Sequence, residues 1–194
     1  METPLPDDAA AFLTESVGEG WTARPLFGDA SVRRYFRVTL PDGTTRMLAY
    51  YPAEVRGQLQ TFLDAYRAVV ACGRVPEVVH HSDVAVLQRD VGDRTIFDLL
   101  HEDREEGVRR YREAIDALVA FQTATVGDIN PPFTAEFFAA ELEMTREFYV
   151  EKLMGVAPEA SARLVPIFRR LAQNVSRHPY VLCHRDYHGQ NIHI

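Results

Sequence analysis

The residues best suited to chemistry lie close together at the end of the chain, in the run His184-Arg185-Asp186-Tyr187-His188-Gly189-Gln190-Asn191. Asp186 offers a carboxylate that can accept a proton from a hydroxyl group. Asn191, five residues later, offers an amide oxygen that can bind a hard cation such as Mg²⁺, and His188 adds an imidazole between them. A proton acceptor beside a magnesium ligand suits phosphoryl transfer to a hydroxyl, because the metal offsets the charge of the transferring group.

The same segment also permits a zinc interpretation, because it gathers one thiol and three imidazoles, from Cys183, His184, His188 and His193. Structural zinc sites take paired ligands from both halves of the site, however, and the sequence contains no Cys-x-x-Cys pair. Zinc therefore stays the weaker alternative. His184 is more plausible as a residue that orients the loop backbone, and His188 as a residue near a transferring phosphate.

The bulk composition excludes several classes of protein. The 194 residues carry a formal charge of −7, from 28 acids and 21 bases, which argues against a nucleic-acid scaffold. No run approaches the ~18 to 20 apolar residues that span a bilayer, and the first eight residues are acidic rather than signal-like. We expect a cytoplasmic protein with no nucleic-acid or membrane partner, in which Cys72 and Cys183 are buried free thiols.

Hydrophobic periodicity divides the chain near residue 92. Before it, the pattern predicts helices at 8–17 and 53–71 and strands at 22–27, 34–40, 46–51, 78–81 and 84–88, with a hairpin turn at Pro41-Asp42-Gly43-Thr44. Beyond it, the pattern predicts helices at 95–100, 105–124, 134–154 and 159–175 and a short strand at 180–183. The aromatic residues expected in the helical core are Phe133, Phe137, Phe138, Phe148 and Tyr149. The fold class is α+β, with a β-rich lobe at 1–92 and a partial helical lobe at 93–194.

A second candidate site is the turn Gly28-Asp29-Ala30-Ser31 between two predicted strands. Glycine lets a backbone approach a phosphate closely, and Ser31 adds a hydroxyl donor. Arg34 and Arg37 follow at once and add positive charge. Taken alone, a single glycine is a weak signal, and the turn is better explained as an ordinary hairpin.

Together these segments resemble a known superfamily. The loop pattern H-R-D-x-x-x-x-N has the spacing with which protein kinases pair a catalytic base and a magnesium ligand. The chain is similar to the aminoglycoside phosphotransferase and choline kinase superfamily, which has the two-lobed protein kinase-like fold. Three segments look most like the bacterial N-acetylmuramate/N-acetylglucosamine anomeric kinases of cell-wall recycling: residues 28–38, the turn Asp90-Val91-Gly92-Asp93-Arg94-Thr95, and His184-Arg185-Asp186-Tyr187-His188.

The resemblance implies an ATP- and Mg²⁺-dependent phosphotransferase whose substrate is a small sugar. It implies that the base of ATP lies against Gln88, Arg89, Asp90 and Val91, and that the phosphates lie beneath Gly28, Asp29, Ala30 and Ser31 with Arg34 or Arg37 supplying charge. Asp186 would accept the proton of the anomeric hydroxyl, with His188 beside it, and Asn191 would hold Mg²⁺.

The chain departs from the superfamily pattern in two respects. Many relatives grip the α- and β-phosphates with a lysine on the third strand, whereas the only lysine here is Lys152. The superfamily also uses a further acidic magnesium ligand after this loop, and the sequence stops at Ile194, so we expect impaired turnover. The alternatives are an aminoglycoside or other small-alcohol phosphotransferase and a non-catalytic nucleotide-binding remnant.

Overall fold

A twisted antiparallel sheet forms the first half of the molecule. The computed structural model describes residues 4–26, 32–72, 74–123 and 131–194. In that part of the chain the sheet has five strands in the order β1-β2-β3-β5-β4: β1 (Thr22–Leu26), β2 (Arg34–Thr39), β3 (Thr45–Tyr50), β4 (Val78–His81) and β5 (Ala85–Arg89). The helices of this half are α1 (Asp7–Val17) and α2 (Gly57–Val69), and short 3₁₀ turns at Ala53–Val55 and Val70–Cys72 flank α2.

Both faces of the sheet are covered by helices, because successive side chains of a strand point to opposite sides. Phe36 and Val38 of β2 point to the face that packs against α1. Ala49 and Val86 point to the other face, which packs against α2. The buried residues of the α1 face are Ala9, Phe12, Leu13, Phe36, Val38, Leu48, Tyr50, Val84, Ala85 and Leu87.

The predicted hairpin between β2 and β3 is confirmed, with Thr39 opposite Thr45. The carboxylate of Asp42 accepts a 2.8 Å hydrogen bond from the amide of Thr44, which closes the turn. Gly43 has φ +82°, a left-handed conformation that glycine adopts without a steric penalty. This turn fixes the register in which Tyr35, Arg37 and Met47 share one face.

Two helices follow the sheet, α3 (Ile96–Glu102) and α4 (Arg104–Gln122). Thr95 begins α3 with a capping box, in which its hydroxyl accepts from the amide of Asp98 and the Asp98 carboxylate accepts from the amide of Thr95. A side-chain carbon at Gly107 would lie 2.8 Å from the backbone of Leu100, so glycine is what allows α4 to pack this closely on α3.

A separate helical unit spans Asn130–Val181, while Met1–Ile129 and Leu182–Ile194 make up the other compact unit. The helical unit contains α5 (Ala135–Met144), a π-helical segment (Thr145–Leu153), α6 (Pro158–Ser161) and α7 (Leu164–Val175). The predicted lobe boundary at 92/93 does not coincide with these two compact units, and the lobe assignment stays a prediction.

A partly buried polar network lies at the π-helical segment. The guanidinium of Arg146 donates to the carboxylates of Glu143 and Glu151 and, at 3.0 Å, to the hydroxyl of Ser161. Ser161 is buried and also donates to Glu151. The wide turn therefore occurs where one arginine joins the end of α5 to α6.

The structure corrects several expectations for the helical region. Residues 180–183 do not form a strand, because in the described part of the chain none of them belongs to the sheet or to an isolated β-bridge. The long predicted helix at 134–154 changes to π geometry at Thr145, and the helix predicted at 159–175 is divided into α6 and α7.

Three predicted core positions also differ. Phe148, Tyr149 and Cys183 are exposed, whereas Phe133, Phe137 and Phe138 are half-buried and stack on one another. The side chain of Cys72 lies outside the described residues. Among the described residues, no helix combines the length and the apolar composition that a membrane crossing demands.

Phe36 offers a test of the packing between α1 and the sheet. Phe36→Ala removes a side chain that is 1 % exposed, so we expect unfolding of this unit to become easier by about 3 to 5 kcal/mol. Urea unfolding followed by the fluorescence of Trp21, which packs on the same cluster, measures the loss. Val32→Ala is the control, since Val32 is 58 % exposed. Equal midpoints for the two variants would contradict this packing.

Candidate active site

The loop that carries Asp186 is anchored to the helices of the sheet unit. The hydroxyl of Tyr187 donates a 2.6 Å hydrogen bond to the carbonyl of Ala114 in α4. The ring of His184 packs against Phe121 and Tyr187, with centroids 5.9 and 5.1 Å away. Burial raises the pKa of the Tyr187 phenol, so this hydroxyl stays protonated and able to donate. These contacts hold the loop against α4.

Asp186, His188 and Asn191 come together at the surface of this loop. The side-chain nitrogen of Asn191 lies 2.7 Å from Oδ2 and 3.0 Å from the backbone carbonyl of Asp186. Nε2 of His188 lies 3.2 Å from Oδ1 of Asp186 and 3.2 Å from the Asn191 nitrogen. The Asp186 side chain is 72 % exposed, so a carboxylate held by two neighbours still faces solvent.

The backbone makes a sharp bend just before this carboxylate. Arg185 has φ +74°, in the left-handed region that residues with a side chain seldom occupy. Strained backbone of this kind often accompanies functional sites. At the other end of the loop, a 3₁₀ turn at Gly189–Asn191 brings Asn191 back toward Asp186, closed by a 2.9 Å hydrogen bond from the Asn191 amide to the His188 carbonyl.

The residues after Asn191 pair with the segment between β5 and α3. The amide of Ile96 donates to the carbonyl of Ile192 at 2.8 Å, and the amide of Ile194 donates to the carbonyl of Arg94 at 3.0 Å. Nδ1 of His193 lies 2.9 Å from the carbonyl of Gly92. Because a carbonyl only accepts hydrogen bonds, the proton of His193 sits on Nδ1.

A cleft of about 370 Å³ opens beside this pairing. One wall is the sheet face that carries Leu26, Tyr35 and Met47, and the opposite side is formed by Asn191 and His193. Its remaining lining residues are Pro76, Gln88, Arg89, Val91 and Gly92. A mostly apolar slot with polar groups at its edge is typical of sites that bind a small ring system.

A larger cavity of about 770 Å³ lies on the far side of the same segment, toward α4 and Tyr187. The two spaces are adjacent and share part of their walls. Five residues line both, namely Pro76, Arg89, Val91, Asn191 and His193.

The guanidinium of Arg37 is engaged by two carboxylates from the segment that follows β5. Nε lies 2.6 Å from Asp90, and Nη1 and Nη2 lie 2.7 and 2.6 Å from Asp93. The hydrogen bond from Arg37 is the largest cause that holds the pKa of Asp93 below its usual range. Burial opposes ionisation of Asp90, but hydrogen bonds from the Gly92 amide and Arg37 lower its pKa overall.

The other predicted nucleotide-site residues are placed as follows. Gln88, Arg89 and Val91 line the cleft, whereas the carboxylate of Asp90 is turned to Arg37. Arg34 is exposed, and strand alternation places it on the face opposite Tyr35, so the structure does not bring it to the cleft. Gly28, Asp29, Ala30 and Ser31 lie outside the described residues. The nucleotide-binding roles of all these residues stay predictions.

The arrangement of the side chains bears on the predicted zinc and magnesium sites. In the described ranges, no group of three or more His, Cys, Asp and Glu side chains is arranged to hold a metal ion. Asp186 and Asn191 nevertheless carry a carboxylate and an amide oxygen, the donor types that Mg²⁺ prefers, although it is the amide nitrogen of Asn191 that lies beside the Asp186 carboxylate. The metal-binding role of Asn191 therefore stays a prediction.

These features first define the class of fold to which the protein belongs. An antiparallel sheet, an extended connection along the cleft and a helix-anchored Asp-Asn loop constitute a kinase-like α+β fold. The chain belongs to the phosphotransferase enzyme family, whose sequence model matches residues 22–194.

Curated relatives agree with this family. The chain is 28% identical to the N-acetylmuramate/N-acetylglucosamine kinase of Pseudomonas aeruginosa, over 99% of this chain and 57% of the relative. It is 28% identical to the protein of the same name in Pseudomonas putida, over 84% of this chain and 49% of the relative. The Neisseria meningitidis protein of that name is 26% identical over 84% and 50%. The chain thus spans about half the length of these relatives.

Sequence reasoning missed several residues that shape the site. Tyr187 and Gly189 carried no spacing signal, because their partners lie on α4 and α3. The ion pairs of Arg37 with Asp90 and Asp93 could have been suspected from the sequence. Arg37 lies two residues after Tyr35, so both side chains point to the cleft face of β2, and the two acids lie just after β5.

Gly189 tests how tightly the loop is seated. Its φ lies outside the left-handed region, yet a side-chain carbon there would lie 3.3 Å from the Phe97 amide and 3.4 Å from the Tyr111 hydroxyl. We therefore expect Gly189→Ala to lower the free energy of unfolding by about 1 to 3 kcal/mol, as overpacking does. Urea unfolding provides the measurement.

The matched control is Gly57→Ala at the exposed start of α2, where a new carbon meets nothing within 4 Å. There alanine favours the helix, so we expect stability to rise by about 0.4 to 1 kcal/mol. If Gly189→Ala stabilises the protein as Gly57→Ala does, the loop is not packed against α3 as described.

Proposed function

We propose that this protein is an ATP- and magnesium-dependent phosphotransferase acting on the anomeric hydroxyl of N-acetylated amino sugars, as part of cell-wall sugar recycling in the cytoplasm. The family and the names of the three relatives support the reaction class and the sugar substrate. The single observation that carries the proposal is the exposed Asp186 carboxylate, held 2.7 Å from Asn191.

In this proposal Asp186 is the proton acceptor. Its carboxylate is open to solvent on one side and held from behind by Asn191 and His188, so a sugar hydroxyl can approach it. A positioned carboxylate that takes up the hydroxyl proton makes the oxygen a better nucleophile toward the γ-phosphorus of ATP. As the new oxygen–phosphorus bond forms, the bond between the γ-phosphorus and the oxygen that bridges it to the β-phosphorus breaks, and ADP leaves with that oxygen.

The cleft is the proposed site for the base of ATP. Leu26 and Met47 on the sheet and Val91 at the end of β5 offer apolar contacts to a purine ring. Mg²⁺ would be held by the side-chain oxygen of Asn191, where it would offset charge on the phosphates. β3 contains no lysine, although many kinases have one on this strand, so charge for the phosphates must come from elsewhere.

Reducing-end chemistry provides the test of this proposal. A sugar phosphorylated at its anomeric oxygen no longer opens to an aldehyde, so N-acetylglucosamine or N-acetylmuramic acid incubated with ATP and Mg²⁺ should lose its reducing end while phosphorus NMR detects a sugar phosphate. A polycationic aminoglycoside is the parallel substrate. Phosphate appearing on the aminoglycoside alone would favour the alternative acceptor class, and ATP binding without turnover of either would favour a non-catalytic role.

Asp186→Asn tests the role of the carboxylate. An amide cannot accept the hydroxyl proton, so we expect sugar phosphorylation to fall by about 10² to 10⁴-fold while the dissociation constant of ATP stays nearly unchanged. Coupled ADP release and calorimetry measure the two quantities. Asp83→Asn is the control, because Asp83 is exposed in the β4–β5 turn, at the opposite end of β5 from the cleft segment. Wild-type turnover in Asp186→Asn would remove Asp186 as the base.

A further inference from the structure

The guanidinium of Arg37 joins the sheet to the segment that follows it. Four of its five N–H groups point at carboxylate oxygens: Nε and Nη2 at Asp90, and Nη1 and Nη2 at Asp93. Asp90 and Asp93 lie on either side of Gly92, so one side chain of β2 holds both ends of the turn. We call these three residues the Arg37 clamp.

The Arg37 clamp is mostly shielded from water. The side chain of Arg37 is 11% exposed and that of Asp90 is 5% exposed, whereas Asp93 is 76% exposed. Removing one partner of a buried charge pair is costly, because the other charge remains buried without compensation. Loss of Arg37 would also leave two carboxylates near each other, so the turn between them would open.

The turn held by the Arg37 clamp continues into the candidate active site. Oδ1 of Asp90 accepts a 3.0 Å hydrogen bond from the Gly92 amide, and the Gly92 carbonyl faces Nδ1 of His193 at 2.9 Å. His193 is two residues beyond Asn191, and both line the cleft. A continuous path of hydrogen bonds therefore runs from β2 through the turn to the segment that carries the proposed magnesium ligand.

We propose that Arg37 is a positioning residue of the nucleotide site: it sets the 90–93 turn, and through Gly92 and His193 it sets the wall against which the base lies. The inference rests on the proposed function for the identity of the ligand, but the coupling of Arg37 to His193 does not. It also replaces the expectation that Arg37 supplies charge to phosphates, since its donors are already engaged.

Binding of adenosine and of ATP separates the two roles, because adenosine contains the base without phosphates. For Arg37→Met, calorimetry should give an affinity loss of about tenfold for both ligands, in line with the energies of side-chain coupling networks. Arg67→Met is the control, since Arg67 is an exposed arginine of α2 that also pairs with a carboxylate, that of Asp64 at 2.8 Å. It should leave adenosine binding within about twofold of wild type. A loss confined to ATP, or no loss for either ligand, overturns the proposal.

Arg37→Lys is a second variant, included in case Arg37→Met unfolds. Lysine keeps the charge but cannot fork to two carboxylates, so both ligands should bind with an affinity between those of wild type and Arg37→Met. Adenosine affinity equal to that of wild type in Arg37→Lys contradicts the clamp. Thermal unfolding of each variant identifies any loss of affinity that arises from loss of fold, and in that case Arg37→Lys carries the comparison.

The imidazole of His193 gives a readout that does not depend on any ligand. In a chain with isotope-labelled histidine, the nitrogen signals of His193 report whether its proton stays on Nδ1, and His193→Gln assigns them. Arg37→Met should release that proton to exchange between the two nitrogens, whereas Arg67→Met should not. If the wild-type chain binds neither adenosine nor ATP, the proposed function fails, and this signal alone decides the clamp: a change supports it and an unchanged spectrum overturns it.

Discussion

The pairing of residues 192–194 with the segment before α3 is the constraint on which the candidate site depends. Two backbone hydrogen bonds, at Ile96 and Ile194, tie the end of the Asp186 loop to the connection that leaves the sheet. Without them the residues after Asn191 would lose their backbone pairing, while Tyr187 would still hold the loop to α4 and Gly189 would still lie against α3. Backbone hydrogen bonds, rather than charged side chains, thus place the loop of Asp186 beside the cleft.

The sheet itself was accessible from the sequence because its strands obey a two-residue alternation that is a local property. Phe36 and Val38 alternate with Tyr35 and Arg37, and the Asp42-Gly43 turn fixes the register. The helical region was harder. The change to π geometry at Thr145 depends on Arg146 reaching Ser161, a contact between residues fifteen positions apart that no local pattern encodes.

The candidate site likewise contains some residues that local spacing predicts and others that only the fold brings together. Asp186, His188 and Asn191 were identified together because their spacing lies within one loop, and the structure brings them together. Arg37 was expected near phosphates, since a sequence gives the charge of a residue but not its partners. Asp90 and Asp93 are more than fifty residues away from it along the chain, and only the fold brings them to one guanidinium.

The side-chain amide of Asn191 has fewer hydrogens than it has neighbours that can accept them. The side-chain nitrogen of Asn191 carries two hydrogens but faces three acceptors, namely both contacts on Asp186 and Nε2 of His188. Asp186 and His188 therefore compete for the same two hydrogens, and the amide can satisfy only two of its three neighbours at once. The carboxylate of Asp186 is approached at both oxygens, by the Asn191 amide at Oδ2 and by the His188 imidazole at Oδ1.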